Sequence, residues 1–281
     1  MRSRYIILLA IIFTIGFTSF NADAQYNQTK IVIGQDLNNS LNPFIQPQDE
    51  ALAGGGRDQS LQFADIVKGG IGADILIGGL GSDVLVGLSG DDIILGGTED
   101  FNPANRDIAL GGMGSDTFIW APGDGSDFFD GGPGEDVVVF GFIGEVQDDG
   151  TVAFQVQTDQ DTEEIFINPD TNLPEVDVAN SPGFCTVIDK AWSEDAKENL
   201  ELLELNQLVR FTIRALADSF ESGEQDTDNG LRVTLSIRNT EYLVCTTRDG
   251  GEIEVLDLKS SPPRKADISD LPEKVQTMLN L

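Results

Sequence analysis

Aspartates recur at a fixed spacing between glycine-rich turns in the first half of the chain, and this pattern could bind a hard cation. Residues 69–77 read GGIGADILI, residues 78–86 repeat the pattern as GGLGSDVLV, and residues 87–95 are a weaker copy. Carboxylate and carbonyl oxygens are the ligands that Ca²⁺ prefers. Glycine permits backbone angles that a Cβ would forbid, so each turn can point its carbonyl oxygens inward. The spacing therefore predicts a series of calcium sites.

The aspartate also serves as a marker for following the repeats beyond the clean copies. Most successive markers are nine residues apart. One step is fifteen residues long and includes an extra loop at 99–105, and another step is eleven residues long. Eight turns are marked in this way, ending at Asp65, Asp74, Asp83, Asp92, Asp107, Asp116, Asp127 and Asp136. A fixed period is typical of a stacked solenoid, and pairs of these turns would build about four coils.

A triplet with an apolar central residue follows each aspartate and predicts a short β-strand whose central side chain faces inward. The inward residues are Leu76, Leu85, Ile94, Ala109, Phe118, Phe129 and Val138. The flanking residues are also apolar and should face outward, namely Ile75, Ile77, Val84, Val86, Ile93 and Leu95. An apolar outer face predicts that the following domain or a second copy covers it. The alternative is the ordinary preference of β-branched residues for strands.

These repeats resemble the hemolysin-type calcium-binding (RTX) family, whose consensus is GGxGxDxUx with U a large apolar residue. The resemblance covers residues 65–141, and the segment FIWAPGDGSDFFDGG at 118–132 is similar to the end of such arrays. It implies a parallel β-roll in which Ca²⁺ lies between turns two repeats apart on one side. The implied pairs are Asp74 with Asp92, Asp83 with Asp107, Asp92 with Asp116, and Asp116 with Asp136.

The resemblance also implies a ligand set, formed by the aspartates and by the glycines at the second and fourth positions of each turn. These metal residues are Gly70, Gly72, Asp74, Gly79, Gly81, Asp83, Gly90, Asp92, Asp107, Gly112, Gly114, Asp116, Gly123, Gly125, Asp127, Gly132, Gly134 and Asp136. Leu88 departs from the consensus, and the turn before Asp65 lacks glycines. The alternative is a set of turns without metal. We favour metal because bare carboxylates stacked about 5 Å apart would repel one another.

Composition restricts the possible functions. The formal net charge is −31, from 48 acidic against 17 basic residues, which argues against nucleic acid and anionic membranes as partners. The chain has no histidine, so Ser-His-Asp and Cys-His catalysis, histidine zinc sites and HExxH helices are excluded. It also lacks a G-x-S-x-G elbow. We therefore predict no catalytic residue and no enzymatic activity.

The N-terminus predicts a cleavable signal peptide at residues 1–24. Arg2 and Arg4 precede an apolar run at 6–17, and Ala22-Asp23-Ala24 supplies an A-x-A site. An uncleaved anchor is the alternative, but the run is shorter than the about 20 residues that span a membrane. After cleavage we expect no transmembrane segment and an extracellular, cell-surface or periplasmic location. Residues 25–56 are a polar lead-in with a short apolar run at 30–34.

After the roll, assigned to residues 57–141, the pattern predicts a smaller α+β domain at 142–260. A strand at 152–156 is expected to pair with 164–168, and 169–183 is expected to be a loop. Ser193 could cap a helix whose core-facing stripe is Leu205, Val209, Ile213, Leu216 and Phe220, ending at Gly223. Strands at 231–238, 242–247 and 253–258 would form a meander. Residues 261–281 are a polar tail with a short helix at 271–279.

Cys185 and Cys245 are the two cysteines of the chain. An even pair in an exported protein predicts a disulfide. Reactive thiols are the alternative, but no histidine or basic cluster near either residue would lower a thiol pKa.

The sequence thus predicts a mainly β protein, with a parallel β-roll of nonapeptide repeats followed by a smaller α+β domain. Its predicted function is that of an exported calcium-binding protein whose array folds around several Ca²⁺ ions as structural metal. The resemblance implies other classes as well, because RTX rolls are joined to proteases, lipases, epimerases and adhesins. One alternative is a surface adhesin or matrix protein that binds polysaccharide or a cell-surface protein through the α+β domain. Another is a polysaccharide-active enzyme.

Overall fold

The computed structural model of the protein describes residues 30–33, 66–79, 82–97, 106–154, 164–216 and 232–280. The predicted signal peptide, most of the lead-in, Asp65 and Gly81 lie outside the described residues. Within these ranges, no helix has the length and apolar character needed to cross a membrane.

Short strands dominate the described chain. In and before the repeats they are β1 Lys30–Ile33, β2 Ile66–Lys68, β3 Asp74–Ile77, β4 Val84–Ser89, β5 Ile93–Leu95, β6 Ile108–Met113, β7 Thr117–Trp120, β8 Phe128–Asp130 and β9 Val137–Phe140. Next come β10 Phe142–Ile143, β11 Glu145–Val146, β12 Val152–Ala153, β13 Glu164–Ile165, β14 Ile167–Asn168, β15 Leu173–Pro174 and β16 Val176–Asp177. The last strands are β17 Gly183–Ile188, β18 Gln207–Ile213, β19 Arg232–Arg238, β20 Tyr242–Thr246, β21 Ile253–Asp257 and β22 Arg264–Ala266. The described α-helices are α1 Glu194–Leu202 and α2 Glu273–Met278.

The repeats form a parallel β-roll, as the sequence predicts. Successive strands alternate between two sheets: β3, β5, β7 and β9 pair in parallel in the first, and β2, β4, β6 and β8 in the second. In each described strand the predicted central side chain is fully buried between the sheets. The rings of Phe118 and Phe129 stack across this space at 5.3 Å. Burial of these apolar side chains is therefore the main stabilisation of the roll interior.

Strands from beyond the repeats extend both sheets. In the described chain the first sheet has the order β1-β3-β5-β7-β9-β20-β21-β22, and the second β17-β18-β19-β8-β6-β4-β2. The predicted meander is wrong in one respect, because β19 and β20 lie in different sheets. Their connection crosses from sheet to sheet as a repeat turn does, whereas β20 and β21 form the expected hairpin. The sheets thus continue into the segment predicted as a separate domain, and its boundary at residue 142 stays a prediction.

The apolar outer face of the first sheet is covered, which confirms that prediction for this sheet. Ile75, Ile77, Ile93 and Leu95 are buried in one cluster with residues that follow the repeats. The covering residues include Val176, Val178, Leu271, Val275, Met278 and Leu279. The interpretation of 261–281 as a polar tail overlooked these last four apolar residues. On the second sheet, by contrast, Ile66 is 75% and Ile108 42% exposed.

The long predicted helix is wrong. Ser193 does cap a helix, its Oγ accepting a hydrogen bond from the Ala196 amide at 3.1 Å, but α1 ends at Leu202. Two of the five predicted stripe residues, Val209 and Ile213, lie on strand β18, where Gln207, Val209 and Phe211 are buried in alternation. Val209 and Ile213 are four residues apart, a spacing that helices and strands both satisfy. Phe220 and Gly223 lie outside the described residues.

The strands at the start of the predicted α+β segment pair differently from the prediction. β12 and β13 both pair with β11 and not with each other, because the short strand β11 lies between them. The stretch predicted as a loop contains β15 and β16.

The predicted disulfide between Cys185 and Cys245 is present, with the two Cα atoms 6.1 Å apart. It joins β17 of the second sheet to β20 of the first. Cys245 is buried in the cluster that contains Trp120 and Phe211. The bond therefore links the two sheets beyond the end of the repeats.

Candidate metal centre

The aspartates of the turns stack in two columns, one on each side of the roll where the chain passes between sheets. Column one contains Asp74, Asp92, Asp116 and Asp136, and column two contains Asp83, Asp107 and Asp127. Each of them is at most 3% exposed. The buried position follows from the turn, because each aspartate lies where the turn meets the start of an inward-packed strand.

Hydrogen bonds connect the aspartates within each column. Except for the last aspartate of each column, the amide of each aspartate donates to Oδ1 of the aspartate one coil further on. In column one these bonds are 2.7 Å from Asp74 to Asp92, 2.8 Å from Asp92 to Asp116 and 2.7 Å from Asp116 to Asp136. In column two they are 2.7 Å from Asp83 to Asp107 and 2.8 Å from Asp107 to Asp127. The structure therefore brings together all four pairs implied by the resemblance, and adds the pair Asp107 with Asp127.

The other carboxylate oxygens are suited to a cation. Oδ2 of Asp92, Asp116, Asp127 and Asp136 is buried and accepts no hydrogen bond from any described residue. A buried carboxylate oxygen without a partner is costly, because the water that solvated it has not been replaced. A hard divalent cation would supply the missing interaction.

For Asp92 and Asp116, a backbone carbonyl oxygen lies beside the carboxylate and belongs to the first glycine of the next turn in the column. A Cβ added to Gly87 would overlap both Asp92 Oδ2 and the carbonyl oxygen of Gly111. The same relation holds at Gly69, Gly78 and Gly111, each facing its own aspartate and the first-glycine carbonyl of the next turn in its column. The ligand set implied by the resemblance omitted these first glycines. The consensus itself contained the signal, since each repeat begins with this residue.

The predicted second- and fourth-position glycines contact mainly one another. The carbonyl oxygen of Gly90 lies against Gly114, and that of Gly114 against Gly134. In the same way, the carbonyl oxygen of Gly72 lies against Gly90, and that of Gly112 lies against Gly132. Three others make different hydrogen bonds. The Gly70 amide donates to Asp74 Oδ2 at 2.6 Å, and the Gly79 amide donates to the Gly96 carbonyl oxygen at 3.1 Å. The Gly125 carbonyl oxygen accepts from Trp120 Nε1 at 3.1 Å. Coordination by this predicted glycine set, including Gly123, stays a prediction.

Column two contains a fourth carboxylate that the sequence analysis missed. Asp124 is buried, and its carboxylate oxygen lies within 4.8 Å of ligand atoms of Asp107 and Asp127. At Gly96, an added Cβ would approach Asp107 Oδ2 and Asp124 Oδ2, so a carboxylate takes the place that a glycine carbonyl has elsewhere. Asp124 lies eight residues after Asp116, inside the irregular turn that ends at Asp127, and the period therefore did not identify it.

Burial dominates the electrostatics of column one. It raises the pKa of Asp92 to about 6, that of Asp116 to about 7 and that of Asp136 to about 8. Neighbouring carboxylates in the column raise these pKa values as well, whereas Lys274 lowers them. Lys274 extends from α2, and its Nζ donates to the carbonyl oxygens of Asp92, at 3.2 Å, and Ser115. The column therefore contains more negative charge than one ammonium group neutralises.

Comparison with known protein families agrees with this geometry. A family model of the RTX calcium-binding nonapeptide repeat matches residues 62–100 and 123–142, with four copies. Comparisons with curated proteins and with solved structures gave no match. The matched segments contain five of the seven described column aspartates, and the other two, Asp107 and Asp116, continue the same hydrogen-bonded columns.

The fold and the columns define a parallel β-roll with stacked oxygen ligands between its turns. The matched segments identify these turns as RTX calcium-binding repeats. The chain therefore carries a parallel β-roll that includes RTX calcium-binding nonapeptide repeats at residues 62–100 and 123–142.

We expect Asp124→Asn to weaken the Ca²⁺ site at Asp107 and Asp127 at least tenfold, or about 1.4 kcal/mol, because one of three clustered carboxylates loses its charge. Isothermal titration calorimetry would measure the change. Asp170→Asn is the matched control, since Asp170 is exposed and lies in the turn between β14 and β15. Equal affinities in the two variants would show that Asp124 is not a ligand.

Proposed function

We propose that this is an exported calcium-binding protein whose repeat array folds around several Ca²⁺ ions as structural metal. One observation carries the proposal: buried carboxylate oxygens without hydrogen-bond partners lie in columns beside backbone carbonyl oxygens. A hard divalent cation would complete these interactions.

Burial of the columns supports a structural role for the metal. The column aspartates are at most 3% exposed, so a substrate would not reach an ion held between them. Catalytic metal sites keep an open coordination position for water or substrate. The expected ligands are the column aspartates with Asp124 and the first-glycine carbonyls, and the ions would neutralise charge that otherwise opposes stacking.

The disulfide supports export. Disulfides persist in oxidising compartments, and the bond between Cys185 and Cys245 fits an extracellular, cell-surface or periplasmic location reached through the signal peptide. Extracellular calcium modules bind at roughly 10⁻⁴ to 10⁻³ M. Cytosolic Ca²⁺ would leave such sites empty, so the roll would fold after export.

A calcium titration of the oxidised protein, followed by circular dichroism and calorimetry, tests this function. Between about 10 µM and 10 mM Ca²⁺ we expect a cooperative gain of β-structure. Asp83→Ala and Asp116→Ala each interrupt one column and should abolish the cooperativity, whereas Asp170→Ala removes an exposed charge and should leave it intact. A roll already folded in chelator, with no heat of Ca²⁺ binding, would contradict the proposal.

A further inference from the structure

The connection between β19 and β20 takes the place of one more repeat turn. β19 pairs in parallel with β8, and β20 pairs in parallel with β9. Residues 239–241 therefore stack on the repeat turn at 131–136, which joins β8 to β9. The sequence gives no sign of this, because the connection has half the length of a repeat turn and matches none of its consensus.

This short turn reproduces the hydrogen bonds of column one. The Asp136 amide donates to Glu241 Oε2 at 2.7 Å, just as the Asp116 amide donates to Asp136 Oδ1 at 2.7 Å. The Tyr242 amide donates to the Asp136 carbonyl at 3.0 Å, as the Val137 amide does to the Asp116 carbonyl at 2.9 Å. Glu241 thus occupies the next aspartate position in the column. Its extra methylene lets the carboxylate reach this position from a shorter turn.

The carbonyl ligand position is also reproduced. A Cβ added to Gly131 would overlap the carbonyl oxygen of Asn239 and the side chain of Asp136. At Gly111 the corresponding atoms are the carbonyl oxygen of Gly131 and Oδ2 of Asp116. Asn239 has a left-handed φ of 50°, which asparagine tolerates better than most residues. Its side chain donates to Asp130 Oδ1 at 2.8 Å, which fixes the turn.

An independent observation indicates a ligand at this position. Asp136 is fully buried, and its Oδ2 accepts no hydrogen bond from the described residues. From these observations we infer that Asp136, Glu241 and the Asn239 carbonyl form a further Ca²⁺ site that closes column one. The inference rests on the proposed function, since it takes the metal of the repeats to be calcium.

Column two has no such continuation. The register of β19 with β8 places Leu235 level with Asp127, where a ligand would be needed, and Leu235 is buried and apolar. The further site is therefore specific to column one. It would bind calcium between the last repeat and the strands that include the disulfide-bonded Cys245. Calcium would then fold the roll and its extension as one unit.

Counting bound Ca²⁺ per chain by equilibrium dialysis tests the site. We expect Glu241→Gln to bind one ion fewer than the unchanged protein, because the amide retains the hydrogen-bond acceptor but loses the charge. Glu252→Gln is the matched control, since Glu252 is exposed in the hairpin after β20 and should leave the count unchanged. An equal count in Glu241→Gln would overturn the inference.

A measurement on the unchanged protein keeps the test independent of how the variant folds. Hydrogen exchange at residues 237–244 should slow as Ca²⁺ is added, together with exchange in the turn at 131–136. If Ca²⁺ slows exchange only within the repeats, the inference fails while the proposed function stands. If the unchanged protein binds no Ca²⁺, the proposed function fails and the inference with it.

Discussion

In chelator, the free energy of unfolding should rise as the pH falls from 8 to 5, whereas in saturating Ca²⁺ it should fall over the same range. The cause is the buried column, where burial raises the pKa of Asp116 to about 7 and that of Asp136 to about 8. A carboxyl group whose pKa is raised in the folded state stabilises the fold when protonated. This stabilisation is complete below the unfolded value of about 4 and is lost as the pH rises through the folded pKa.

The expected size of this effect is about 3–5 kcal/mol between pH 5 and pH 8 in chelator. One pKa unit corresponds to about 1.4 kcal/mol. The separate shifts of Asp92, Asp116 and Asp136 cannot be added, because protonation of one relieves the repulsion felt by the next. Calcium reverses the sign of the pH dependence of the free energy of unfolding. Its carboxylate ligands must be ionised, so protons compete with the metal as the pH falls.

In chelator, where the roll is expected to be largely unfolded near neutral pH, tryptophan fluorescence would measure the gain of folded protein as the pH falls. Urea unfolding followed by the same signal would measure the trend in saturating Ca²⁺. Trp120 is buried in the roll and should report its unfolding, whereas Trp192 is 58% exposed already in the folded protein. Asp116→Asn should flatten the pH dependence in chelator, and Asp170→Asn should not. Stability in chelator that is constant or increases from pH 5 to pH 8 would contradict the electrostatic description of column one.

Periodicity explains which parts of the fold were predictable. The β-roll, the inward residues and the pairing of aspartates all follow from a repeat that specifies strand and turn together. Asp124 does not fall at the aspartate position of a repeat. The period therefore could not place it in column two, because its location depends on the path of an irregular turn. The repeat predicts a glycine at the first position of each turn, such as Gly87. It does not predict that the carbonyl oxygens of these glycines lie beside the carboxylates, because only the stacking of the turns shows which oxygens converge.

Beyond the repeats, local pattern was ambiguous and long-range pairing decided the structure. Val209 and Ile213 fit a helix and a strand equally, and pairing of β18 with β17 and β19 selects the strand. Likewise, the sequence around Asn239 and Glu241 predicts an ordinary hairpin turn. The parallel pairing of β19 with β8 and of β20 with β9 makes it a connection between the two sheets instead. Tertiary contacts of this kind are not encoded in a short window of sequence.

Stacking of the turns predicts a large effect of a single methyl group. Gly114 has a left-handed φ of 131°, and an added Cβ would overlap the carbonyl oxygen of Gly90 in the turn below. Gly114→Ala should therefore lower the free energy of unfolding in saturating Ca²⁺ by about 4 kcal/mol or more. The loss combines backbone strain with separation of the two turns that hold Asp92 and Asp116.

Two further glycines separate these causes. Gly150 has a φ of 80° and open space around an added Cβ, so Gly150→Ala should cost only about 1–2 kcal/mol of backbone strain. Gly134 has no left-handed φ, but an added Cβ would overlap the carbonyl oxygen of Gly114, so Gly134→Ala tests close approach alone. Urea unfolding of the three variants in saturating Ca²⁺ should rank the losses as Gly114, then Gly134, then Gly150. If Gly134→Ala cost no more than Gly150→Ala, the turns would not depend on close stacking. The short spacing that brings carboxylates and carbonyl oxygens together around calcium would then need another explanation.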